Sequence, residues 1–263
     1  MKREVVETIN ANQDKIRFLL DSGAFTAWKA GKPIQLDDYC RFIESLPFKP
    51  WRYFTLDVIG DAEKSFNNYQ IMLKRGFNPI PIFTRGEDIS MIDEYYKTSD
   101  VLGIGGLVGT QGNKGFVKAI MSKIGNRKVH WLGFTNLTFV SFYKPYMCDS
   151  SSWSGGIRFG QMPLYLGSGK WLRLRKESFL NKPDKNIIDT ISKFGFDCAK
   201  LSKKSEWHNA GSTLLNHIPI NSWIRYSFDV ENKFNTKQFL AIGTKRDLLL
   251  FIENYKRIKV WKQ

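Results

Sequence analysis

Cysteine, histidine and long apolar runs are all scarce in this chain of 263 residues. The cysteines Cys40, Cys148 and Cys198 stand apart, with no CxxC spacing. A scattered, odd-numbered set argues against a disulfide framework or a thiolate zinc site, and for reduced thiols in a cytoplasmic setting. His130, His208 and His217 are equally scattered, so no metal is expected. No apolar run reaches the roughly 18 residues of a membrane-spanning helix, and no membrane partner is expected. The opening MKREVVETINANQDK is polar and charged, which implies no signal peptide. GxSxG, Walker A and HExxH motifs are missing, which leaves serine hydrolases, P-loop NTPases and zincins without support. Gly103-Ile104-Gly105-Gly106 lacks the GxGxxG spacing, so no dinucleotide is implied; no cofactor is expected.

Positive charge is abundant. Lys and Arg number 40 against 25 Asp and Glu, a net charge of +15. A solubility bias explains part of this. A surplus of this size spread over a folded body also suits a polyanionic partner, and nucleic acid is the expected one. The 20 Phe and 8 Trp serve packing first and base stacking second.

Strand-like and helix-like stretches alternate along the first part of the chain. Strands are expected at Lys15–Leu20, Trp51–Leu56, Asn78–Phe83, Val101–Ile104, Lys128–Leu132 and Tyr146–Cys148. Helices are expected from Leu36, and at Asp61–Arg75, Ile89–Thr98, Lys114–Ile124 and Leu137–Tyr143. Such alternation implies parallel strands with right-handed crossovers. Polar or glycine motifs follow nearly every strand rather than one switch point. That favours a TIM-type (β/α)8 barrel over a doubly wound sheet. The expected organisation is a single barrel domain over residues 1–263, with 154–263 less regular and supplying the last units. There Trp171–Arg175, Phe196–Leu201 and Trp223–Phe228 read as strands, and Asn186–Phe194 and Asp247–Arg257 as helices.

Asp21, Asp57 and Asp149 end expected strands in apolar settings. A carboxylate there can act as base, nucleophile or recognition group. Each can equally be an N-cap of the following helix, the better reading for Asp57 or Asp61 alone. Gly105-Gly106 either admits a ligand to the backbone or makes a turn. Lys170-Trp171-Leu172-Arg173-Leu174-Arg175 alternates as a basic strand with an aromatic, suited to phosphates and stacking or simply to solvent.

The segments LLDSGAFTAW, YFTLDVIGD, PIPIFTRGED, VLGIGGLVG, VHWLGFTN and CDSSSW fall in a familiar order over about residues 15–160. They resemble tRNA-guanine transglycosylase-like proteins, most of all the short, often phage-encoded branch with the 7-deazaguanine DNA transglycosylases. The resemblance implies a barrel that exchanges guanine in a nucleic acid for a 7-deazaguanine base, preQ0-like, without a cofactor. By motif position Asp149 would be the nucleophile and Asp21 the acid/base. Ser22, Phe25, Asp57, Thr84, Gly105 and Gly106 would line the base site, with Phe25 against the ring face. Arg158 would contact phosphate, beside the basic strand with Lys170, Arg173 and Arg175. The target nucleotide would be flipped out or single-stranded.

The sequence departs from that pattern in three places. The CxCxxC…H zinc subdomain that helps tRNA enzymes dock tRNA is missing, which favours DNA over tRNA as substrate. Thr84-Arg85 stands where a Gln or His is expected, and Ala24 replaces the second glycine of DSGG. The competing readings are base exchange on tRNA, a non-catalytic nucleic-acid-binding barrel, and a hydrolase using water as acceptor.

Overall fold

The computed structural model describes residues 1–107, 114–181 and 184–260. The chain is α/β and divides into two compact units, Met1–Asp149 and Ser150–Gln263. Among the described residues no helix is long and apolar enough to cross a membrane.

The first unit opens with α1 (Arg3–Asn10), whose Val5 and Ile9, four residues apart, are buried. Then follow β1 (Leu19–Leu20), α2 (Ala24–Lys29), α3 (Leu36–Glu44), β2 (Arg52–Tyr53), α4 (Ala62–Lys74), β3 (Ile82–Phe83) and α5 (Met91–Tyr96). The unit continues through β4 (Val101–Ile104), α6 (Lys114–Ile124), β5 (Lys128–Trp131), α7 (Leu137–Tyr143) and β6 (Met147–Ser150), at whose end the second unit begins. Leu20 lies opposite Tyr53, and Phe54 bridges to Ile80. Ile82 pairs with Gly103, Gly103 with His130, and His130 with Met147. Every one of these pairings is parallel, and each strand joins the next one in sequence.

These strands are apolar on both faces because both faces are covered. Val101, Leu102, Gly103 and Ile104 are all buried. Gly103 has a further reason to be glycine. A Cβ there would meet Leu132 Cδ1 at 3.1 Å and Phe54 Cε1 at 3.2 Å. The helices start where short polar side chains can cap them. Asp61 accepts from Lys64 N at 3.0 Å, and Asn136 accepts from Thr138 N at 3.1 Å. The strands at Lys15–Leu20 and Trp51–Leu56 are shorter than expected, with ladder pairing confined to the residues beside Leu20 and Tyr53.

The second unit holds α8 (Gly155–Arg158), β7 (Gln161–Gly167), β8 (Lys170–Arg175), α9 (Lys176–Asn181), α10 (Lys185–Lys193), α11 (Leu214–Phe234), β9 (Lys237–Leu240) and α12 (Lys245–Val260). β7 and β8 form an antiparallel hairpin, so the strand expected at Trp171–Arg175 exists but pairs with its sequence neighbour in the opposite sense. Two expectations fail. Trp223–Phe228 lies inside α11, where Ile220, Ile224 and, further round, Ile218 face the apolar core at helical spacing. Phe196–Leu201 is not a strand but leads into a 3-10 turn at Cys198–Ser202, capped by Asp197, which accepts from Ala199 N at 3.0 Å. Both segments are aromatic and apolar, and a short apolar run carries no periodicity that separates buried strand from buried helix.

Candidate active site

The end of β6 holds Asp149 in a defined position. Its Oδ1 accepts from His130 Nε2 at 2.9 Å and from the backbone N–H of Gly133 at 3.0 Å. His130 is fully buried while the Asp149 side chain is 28% exposed. The Phe54 ring meets the His130 ring edge-on at 4.9 Å. Phe54, in turn, occupies the space that a side chain at Gly103 would take. Among the described residues Asp149 Oδ2 accepts no hydrogen bond, so one oxygen is anchored and the other has no partner.

Asp21 follows β1. Its side chain is exposed by surface area, yet enough protein lies around it to desolvate the carboxyl. Burial raises its pKa above the ordinary carboxylate value. The charges of Asp149 and Asp57 raise it further, and the backbone N–H groups of Gly23 and Ser22 pull part of the way back. Both neighbouring carboxylates therefore act against the ionisation of Asp21.

Asp57 is half-buried, and burial raises its pKa too. The Ser22 hydroxyl, donating to Asp57 Oδ1 at 3.0 Å, offsets this in part. Ser22 is buried, and its oxygen also accepts from Ala24 N at 3.2 Å. Gly23 between them has φ +77, a left-handed turn that glycine makes without strain, and it starts α2. The N-cap alternative is met by Asp61, which caps α4, and not by Asp57 or Asp149.

The other expected site residues fall as follows. Thr84 N and Oγ1 both donate to Glu87 Oε1, at 2.6 and 2.7 Å, and Tyr95 donates to the same carboxylate. Thr84 is therefore engaged with its own loop. The Gly105 N–H donates to Phe83 O at 2.9 Å and is taken up by the sheet. Gly106 has φ +70, and a Cβ added there would lie only 2.9 Å from Arg85 Cβ, so the loop after β4 passes tightly against the loop after β3. Val108 and Gly109, the end of the VLGIGGLVG segment, lie outside the described residues. Phe25 is exposed and stacks on Trp28. In the second unit Arg158, Lys170, Arg173 and Arg175 are exposed. Trp171 is not a free stacking face, because it packs against Trp223 at 4.9 Å, Tyr165 at 5.1 Å and Tyr226 at 5.2 Å. Among the described residues no cluster of His, Cys, Asp and Glu could hold a metal ion.

His130 and Gly133 are the site groups that sequence reasoning missed. A signal existed: His130 is the polar interruption in the apolar strand Val129-His130-Trp131, next to the strand that delivers Asp149. No family model, curated protein or solved structure matches the chain.

Proposed function

We propose that the chain is a base-exchange enzyme, a transglycosylase that replaces guanine in DNA with a 7-deazaguanine base through a covalent aspartyl-glycosyl intermediate. The observation that carries this reading is Asp149, with one oxygen anchored by His130 and Gly133 and the other without a partner among the described residues, coupled to a carboxyl of raised pKa at Asp21. Two carboxyl groups in different surroundings, one to attack and one to handle the proton, are what retaining glycosyl transfer needs.

In the first half-reaction Asp149 Oδ2 attacks C1′ of the target nucleotide. The C1′–N9 bond breaks, its electron pair stays on guanine, and protonated Asp21 neutralises the departing base. In the second, Asp21 takes the proton from N9 of the incoming deazaguanine, which attacks C1′ and expels Asp149. The two displacements give net retention. Asp57, braced by Ser22, accepts from the ring N–H and amino edge of the purine. The positive surface, including Arg158, Lys170, Arg173 and Arg175, holds phosphates, and the target nucleotide leaves the stack before C1′ can be reached.

A barrel suits this reading. Pairing in sequence order from β3 to β6, with β9 beyond β6, has no reversal point, unlike a doubly wound sheet. Six strands laid flat would separate the first and last by about 24 Å. The charge of Asp149 nevertheless reaches Asp21, which supports a sheet curled round its carboxylates.

The test is exchange of labelled guanine or preQ0 into DNA and, in parallel, into tRNA. Wild type should incorporate label and form a denaturation-resistant protein–DNA adduct, and Asp149→Ala should do neither. Turnover that survives Asp149→Ala would end the mechanism. Label entering tRNA alone would move the substrate, and free guanine released without replacement would point to a hydrolase.

A further inference from the structure

Four residues beyond Asp21, α2 turns two aromatic side chains outward. Phe25 is 54% exposed and Trp28 is 53% exposed. Their rings stack with centroids 6.0 Å apart and 29° between planes. Lys29 Nζ lies 4.5 Å from the centroid of the Phe25 ring. The spacing of these three residues sets them on one helical face. Phe25 meets both Lys29 and Trp28, whereas Trp28 among the described residues has Phe25 as its ring partner, so Trp28 is the less engaged of the two rings. The segment from Ala24 to Pro33 carries Lys29 and Lys32 and no acidic residue, which suits an anionic partner.

The position is as telling as the composition. Trp28 is seven residues from Asp21, and seven extended residues span at most about 25 Å, so the pair stands within a few nucleotides of any base held at Asp21. Aromatic faces beside cations are how single-stranded nucleic acid is held without sequence preference, because every base has a face to stack.

We infer that Trp28 is a stacking platform for an unpaired base of single-stranded DNA flanking the exchanged nucleotide, with Phe25 as its backing and Lys29 and Lys32 on the neighbouring phosphates. This rests on the base-exchange reading and gives that site a second point of grip. Phe25, expected against the exchanged purine itself, here supports Trp28 instead.

The test measures binding of the full chain to a fluorescent single-stranded DNA oligonucleotide over a series of salt concentrations. It is done in an Asp149→Ala background, so that chemistry plays no part. Trp28→Ala should weaken binding about 5- to 150-fold, equally at low and high salt, and Trp28→Tyr should restore most of it. Lys29→Gln should instead flatten the salt dependence by about 0.7 in log–log slope. Unchanged affinity in Trp28→Ala, or a loss that Trp28→Tyr fails to repair, overturns the inference. Intact DNA affinity with altered self-association assigns the patch to a second copy of the chain and overturns it too. Trp28-dependent binding by a protein whose wild type exchanges no base would sink the exchange reading and leave the platform standing.

Discussion

Asp21 and Asp57 give up their protons less readily in the folded chain than in the unfolded one. Between the ordinary carboxylate value and their raised values, the folded state therefore binds more protons than the unfolded state. Stability falls as pH rises through that interval, and the cost is fully present above it. Asp21→Asn should accordingly raise the melting temperature at neutral pH, with the gain over wild type shrinking in acid. Because Asp21 is exposed to solvent, the gain stays under about 1 kcal/mol, or at most about 2–4 °C in a thermal melt. The same substitution should lower the exchange rate about 10²- to 10⁴-fold, the usual share of a general acid–base. A variant more stable and less active is the signature of a carboxyl kept for chemistry. His130 bonds to Asp149, so under the proposed mechanism it would act on that residue rather than on substrate. His130→Ala should cut kcat about 10²-fold by loosening the nucleophile, with KM little changed. His130→Gln should recover part of the loss in the same labelled-guanine assay, because its amide can still donate.

At the scale of elements, the route from sheet to site runs through Gly103, Phe54, His130 and Asp149. A methyl at Gly103 would press on Leu132 and Phe54. Gly103→Ala should cost about 1–3 kcal/mol by overpacking, read as a lower melting temperature, and should slow exchange by displacing the ring that backs His130. The elements differ in how far sequence exposes them. β4, α6 and α7 end where the apolar pattern and the flanking glycine or asparagine say they should. Asp21, Asp57 and Asp149 could be picked out as polar ends of apolar runs. His130 itself stands out as a polar interruption in its strand, but its pairing with Asp149 does not, because the bond joins residues 19 apart through strand register, which no local pattern encodes. Trp223–Phe228 misled for a different reason. Its rings pack against Trp171 and Tyr165 of the hairpin, and that tertiary demand decides the residues whichever element carries them.

For the whole molecule, the surplus of +15 should make DNA binding strongly dependent on salt. Each phosphate contact on a single strand contributes about 0.7 to the log–log slope. Replacing both Arg173 and Arg175 with Gln should therefore reduce it by about 1.4 in an anisotropy titration, and an unchanged slope would remove the hairpin from the interface. The strand order of the first unit has a consequence for its biosynthesis. Since each strand pairs with the one before it, every new strand leaving the ribosome meets a template already made. Synthesis at about 5–20 residues per second leaves ample time for each docking. Asp149 is the last residue of that unit, so its charge reaches Asp21 only when the final strand docks. Electrostatic repulsion is deferred to the end of assembly, when the apolar contacts that outweigh it are already in place.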